Sequence, residues 1–170
     1  MHALNVLLLA AAPADMDGVA AGASRVESVM RRFGPTETWS VENDATYMCW
    51  ASDREDGVVV VTARSDAMGG YGLIVTGIRV ERPTRAIPKR CKKVAGLRGE
   101  FANGLRLGMS VRDVPRVLGE PRERANDHLV FTEVTYAGEG NARIQTVVEW
   151  KVDVCSDRVC AIELNVDVSN

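Results

Sequence analysis

The residues with the most chemistry to offer in this chain are four cysteines, Cys49, Cys91, Cys155 and Cys160, and two histidines, His2 and His128. No two cysteines form a Cys-x-x-Cys pair and neither histidine stands at zinc-ligand spacing from them, so no metal site is expected. Cys155 and Cys160 flank Ser-Asp-Arg-Val. A two-residue turn at Asp157-Arg158 would set Ser156 opposite Val159 and bring the two cysteines face to face, near enough for a disulfide. Cys49 and Cys91 then pair by elimination, although nothing local fixes them. A reduced thiol nucleophile would need a histidine partner, and His128 is the candidate. The acidic pairs Glu42/Asp44 and Glu55/Asp56 stand in turn-like contexts, and Gly69, Gly70 and Gly72 lack the flanking strand and helix of a phosphate cradle. Nucleophile, base and orienting group do not occur together, so neither catalysis nor a cofactor is expected.

A second chemical feature is a basic run: Arg79, Arg82, Arg85, Lys89, Arg90, Lys92, Lys93 and Arg98 stand against a single acid, Glu81. The run carries +7, which leaves −9 on the rest of a chain whose net charge is −2. It reads first as a solvated connector between acidic segments. The alternative is a patch, centred on Lys89, Arg90, Lys92 and Lys93, for an acidic partner or anionic lipid. Contact with a membrane is expected only there. The acidic net charge, and the absence of aromatic residues among these cations, argue against nucleic acid as a partner.

Positioning these residues falls to a chain of 170 residues, 46% hydrophobic and 26% charged, which is globular composition. Residues 1–14, MHALNVLLLAAAPA, read as a short export signal: an apolar run ends in Ala12-Pro13-Ala14, a small-x-small cleavage pattern, and the chain then turns polar at Asp15. A mature chain beginning near Asp15 is expected in the periplasm or medium, where disulfides persist.

The remainder contains a repeat. Ser24–Glu37 (SRVESVMRRFGPTE) and Ser110–Glu123 (SVRDVPRVLGEPRE) align with Gly34 on Gly119, an offset of 85. Val26, Val29 and Phe33 form one helical stripe, Ser24 with Glu27 reads as a capping box, and the glycines stop each helix. Pro115 would distort the second helix or delay its start. Three strands are predicted after each: 45–51, 57–64 and 71–82, then 128–137, 142–154 and 159–168. The expected organisation is an export signal (1–14), a first module (15–84), a basic connector (85–99) and a second module (100–170).

Leu105–Pro121, LRLGMSVRDVPRVLGEP, resembles the opening of the small outer-membrane-assembly lipoproteins, with Leu105, Gly108, Met109, Ser110, Val114, Leu118, Gly119 and Pro121 at the positions of their pattern. The β-lactamase inhibitory proteins resemble the same fold and carry two such modules in tandem. The resemblance implies an α+β fold, two tandem modules each with short helices packed on a small antiparallel sheet. It also implies a non-enzymatic protein that binds another protein, such as an inhibitor or immunity protein against a secreted or envelope enzyme. A structural role in outer-membrane assembly is the second reading, and a hydrolase with an unrecognised site the third.

Strand faces supply the site residues. Val148, Trp150, Val152 and Val154 alternate with Glu149, Lys151 and Asp153, the pattern of a sheet with one buried and one wet face. In the first module, Ile78 and Val80 are assigned to the core, so unbroken alternation puts Leu73 and Val75 on the outer face. That face must be covered by the second module, by the connector, or by a partner, with Leu73 and Val75 as anchors and Arg79 at the rim.

Overall fold

The computed structural model describes residues 15–41, 45–52, 59–65, 74–83, 87–138 and 144–169. The proposed export signal and Leu73 lie outside the described residues. The chain opens with a hairpin, β1 (Asp15–Met16) and β2 (Val19–Ala20), and continues into helix α1 (Val26–Phe33). Strands β3 (Thr38–Val41), β4 (Ala45–Ser52), β5 (Val59–Ser65) and β6 (Gly77–Glu81) follow, then the short β7 (Lys92–Lys93). The second half has α2 (Val114–Leu118), β8 (Glu123–Arg124), β9 (His128–Ala137), β10 (Ile144–Cys155) and β11 (Arg158–Ser169).

These strands overturn the expected α+β fold of helices packed on two small sheets. The protein is mostly β. Its helices are 8 and 5 residues long, and both halves share one nine-stranded sheet in the order β3-β4-β5-β6-β11-β10-β9-β8, with β7 beside β4. The physical cause is the pairing of the last strand of each half. β6 and β11 run antiparallel, Ile78 opposite Leu164 and Val80 opposite Ile162, and all four side chains are buried on the same face. What would be an edge in each half becomes the middle of the sheet, and one buried cluster takes residues from both halves.

Helix α1 packs through Val29 and Phe33. The Phe33 ring lies 5.6 Å from that of Trp50, whose indole Nε1 donates to the Gly34 carbonyl at 2.9 Å. Gly34 has φ 87°, the left-handed region that ends a helix cheaply only with glycine. The expected capping box is absent: Ser24 Oγ accepts from the Ala20 N–H, and Arg25, at the N-cap, makes no side-chain capping bond. Helix α2 starts late, at Val114, which leaves Pro115 in the first turn where its missing N–H costs no helical bond.

The structure contains Cys49–Cys91 and Cys155–Cys160 as disulfides, and no free thiol. The turn between β10 and β11 is displaced by one residue from expectation. Ser156 and Asp157 occupy it with φ 50° and 61°, and Cys155 is opposite Arg158. A register shift follows, since Val154 pairs with Val159 but Asp153 pairs with Ala161. Cys160 is the extra residue, and this bulge brings its Cα within 5.7 Å of that of Cys155.

Candidate functional site

The sheet has two faces because side chains alternate along each strand. One packs into the core through Trp50, Val61, Val80, Ile162, Val152 and Leu129. The other, the outer face, carries Tyr47, Thr62, Arg79, Glu163, Lys151 and Val130.

Over β4 and β5 the outer face is closed by the connector. Cys49, Ala51, Val60 and Cys91 form a second buried cluster, with Ile87 and Trp39 packed against it. The segment expected to be merely solvated therefore has an apolar underside, tied down by the disulfide. Its cations face water: Lys89, Arg90, Lys92 and Lys93 are exposed, and the Arg90 guanidinium stacks 4.6 Å from the centre of the Trp39 ring. Trp39 in turn stacks on Tyr47.

Val75 is a correction. It is fully buried in the main core and cannot anchor a partner. The alternation that placed it outside assumed an unbroken strand, but β6 begins only at Gly77. Ahead of that point the chain takes another path: the Val75 N–H donates to Ser24 O, its carbonyl accepts from Gly22, and Ile74 bridges to Arg25. Held by these bonds, Val75 packs into the main core.

Arg79 lies on the outer face at the junction of the halves. It donates to Glu81 at 2.9 Å, to Asp153 at 3.1 Å and to Glu163 at 3.1 Å. Partial burial alone would lower its pKa, but the bonds to Glu81 and Asp153 more than offset this and hold it above its ordinary value. One cation thus organises three carboxylates across β6, β11 and β10.

Beyond this network, strands β9 to β11 extend past the core. Their buried residues end near Phe131, Trp150 and Leu164. The exposed large apolar residues of the described chain, Val134, Tyr136, Ile144 and Val168, all lie on this extension. Val134 pairs directly with the half-buried Val147, and Tyr136 is one row further out, so these three share the outer face. Alternation along these strands does not report where the core beneath them ends, so this extension is not read from the sequence.

His128 begins β9 at the surface. Its Nδ1 lies 2.8 Å from the Asp127 carboxylate and its Nε2 3.3 Å from that of Glu123. The bond to Asp127 raises the His128 pKa above its ordinary value, against partial desolvation, and the bond to His128 lowers that of Asp127. A raised histidine contributes stability below its unfolded-state pKa and loses it as pH rises through the folded value; a depressed Asp127 contributes above its own unfolded value and loses it in acid. His128→Gln should therefore lower the melting temperature slightly at about pH 5.5 and leave it unchanged at about pH 9. Equal melting differences at both values would contradict this.

An open depression of about 800 Å³ lies between the β1–β2 hairpin, the end of α1 and residues 94–104. Asp15, Asp17, Arg32, Arg98 and Glu100 supply its charge. Asp17 is committed to structure, accepting from the Arg98 and Gly99 N–H groups at 2.8 and 2.9 Å.

Fold and surface together define a disulfide-linked, mostly β protein with one sheet face packed and part of the other open. Comparison of the chain with protein-family models, with curated proteins and with solved structures gives no match. Two disulfides fit an oxidising compartment, extracellular or periplasmic. Among the described residues no helix is long and apolar enough to cross a membrane.

Proposed function

We propose that this is an exported, non-enzymatic protein-recognition module whose partner, another protein such as a secreted or envelope enzyme, docks on the outer face of β9, β10 and β11. The observation that carries the reading is that Val134 and Tyr136, two of the four exposed large apolar residues of the described chain, stand on this face beside the half-buried Val147. Val134, Val147 and Tyr136 supply the apolar centre, and the Arg79 network with Lys151 and Glu149 supplies a polar rim, the usual anatomy of a protein interface. The export-like residues 1–14 and the disulfides support the same reading, with inhibitor or immunity protein as its sharpest form.

The test is a photo-crosslinking residue at Gln145, on this face, in an exporting host. A discrete crosslinked partner is expected. Val147→Asp should weaken its binding about thirtyfold, the loss of one interface anchor, with little change in melting temperature because Val147 is only half-buried. Absence of a crosslinked species, or capture indifferent to Val147→Asp, would reject the reading.

A further inference from the structure

The connector concentrates charge of one sign. Residues 87–99 contain Lys89, Arg90, Lys92, Lys93 and Arg98 and no acid. The first four are exposed, and among the described residues none of them makes an ion pair. Glu37, exposed next to Thr36, offsets one of the four charges.

The backbone that carries these cations is held. Cys91 is bonded to Cys49, its N–H donates to the Pro88 carbonyl at 2.9 Å, and Lys92 and Lys93 pair with Trp50 and Ala51 of β4. The Val94 N–H donates to the Ala51 carbonyl at 2.8 Å, and the Thr36 hydroxyl lies 3.2 Å from the Arg90 carbonyl. The Arg90 guanidinium rests on the Trp39 ring, and the Lys92 stem runs past the stop of α1, its Cε 3.6 Å from where a β-carbon on Gly34 would stand. The cations are thus fixed side by side at their backbones while their charged ends reach water. Keeping four like charges this close costs energy through mutual repulsion, and an anionic surface relieves it.

We propose that this ridge, Lys89, Arg90, Lys92 and Lys93, docks the protein on an anionic lipid surface. Three observations favour lipid over other anionic partners. The exposed large apolar residues of the described chain all lie on β9–β11, so the ridge has no apolar centre of the kind a protein interface is built around. Three of the four cations are lysines, compact charges on flexible stems that suit a diffuse layer of headgroups, whereas directional pairing with carboxylates favours arginine. The single arginine is engaged by Trp39, whose ring also stacks on Tyr47, so no open aromatic platform offers itself to a nucleic-acid base.

The ridge and the proposed partner face lie at opposite ends of the sheet. β5, β6, β11 and β10 stand between β4 and β9, a separation of about 24 Å at about 4.8 Å per strand. Docking by the ridge therefore leaves the outer face of β9–β11 open to a protein.

The test is co-sedimentation of the full chain with vesicles of phosphatidylcholine, either pure or carrying about one-third phosphatidylglycerol. Binding to the anionic vesicles alone is expected, with release at about 1 M salt, where the screening length is about 3 Å. Lys92→Gln with Lys93→Gln should weaken it about twenty-five-fold, fivefold per lysine. Should that pair disturb β7, Lys89→Glu, in the turn ahead of it, changes the charge equally and should weaken binding as far. Arg112→Gln with Arg124→Gln removes the same charge from exposed positions in the second half and should change binding little. Equal weakening by that pair would mean that vesicles sense net charge and not the ridge, and would overturn the proposal. Failure to bind anionic vesicles overturns it, as does binding to pure phosphatidylcholine that ignores the lysine substitutions, the mark of apolar insertion. Stronger retention by soluble polyglutamate of equal total charge would point to an acidic protein and likewise overturn it. Val147→Asp alters the partner face without touching the ridge, so the two proposals fail separately.

Discussion

Trp50→Ala is expected to lower the folding free energy by about 3–5 kcal/mol, the cost of emptying the space of a large aromatic side chain in a packed core. Trp50 is completely buried, its ring meets Phe33 at the end of α1, and its Nε1–H is the partner of the Gly34 carbonyl. Deleting it opens a cavity beneath the helix and removes the tie between the helix stop and the sheet. Trp50→Phe should recover part of the loss, since it restores ring volume but not the donor. Trp39→Ala is the control: Trp39 is half-exposed and stacks on Tyr47 at the outer face, so its loss should be well under half as large. Denaturant unfolding monitored by far-UV dichroism measures all three. A Trp50→Ala loss no larger than that of Trp39→Ala would mean that Trp50 does not anchor the helix.

The sheet was legible where one face is wet. The alternation of Val148, Trp150, Val152 with Glu149, Lys151, Asp153 placed β10 and its core residues, and the strand expected over 128–137 coincides with β9. Trp150 is buried against Phe101. The joining of β6 to β11 was not legible, because alternation says which face is buried and not which strand lies alongside. Val75 was misplaced because alternation carries across a break in a strand that only tertiary hydrogen bonds create. The underside of the connector was hidden for a related reason. Ile87 and Cys91 stand among cations, and two apolar residues in a charged run have no period. The cysteine was the usable signal, since a residue tied to Cys49 must lie on β4. At the candidate site, the sequence supplied Arg79 and the wet face, whereas the exposure of Val134 and Tyr136 depends on where the core ends beneath β9, a property of the packed molecule.

The two disulfides should differ in what they contribute. In the chain-entropy account, Cys49–Cys91, separated by 42 residues, is worth about 4 kcal/mol, and Cys155–Cys160, separated by 5, about 2 kcal/mol. Local structure widens the difference. The tip bearing Cys155 and Cys160 is already aligned by the β10–β11 ladder, whereas the connector near Cys91 is held by a two-residue parallel pairing of β7 with β4 and by Ile87. Without the Cys49–Cys91 bond, Ile87 and residue 91 can lift from Ala51 and Val60 and let water reach that side of the sheet. Cys49→Ala with Cys91→Ala should therefore cost about 4 kcal/mol, a large part of the 5–15 kcal/mol that holds an ordinary domain together. It should also open Lys89 and Arg90 to trypsin below the melting temperature. Cys155→Ala with Cys160→Ala should lower stability by about half as much and leave the connector as resistant as in the parent. Denaturant unfolding and timed proteolysis on the two double variants measure both quantities. Equal losses, or a connector that resists trypsin without its disulfide, would show that the apolar underside and β7 suffice to hold it and that Cys49–Cys91 is not the clasp.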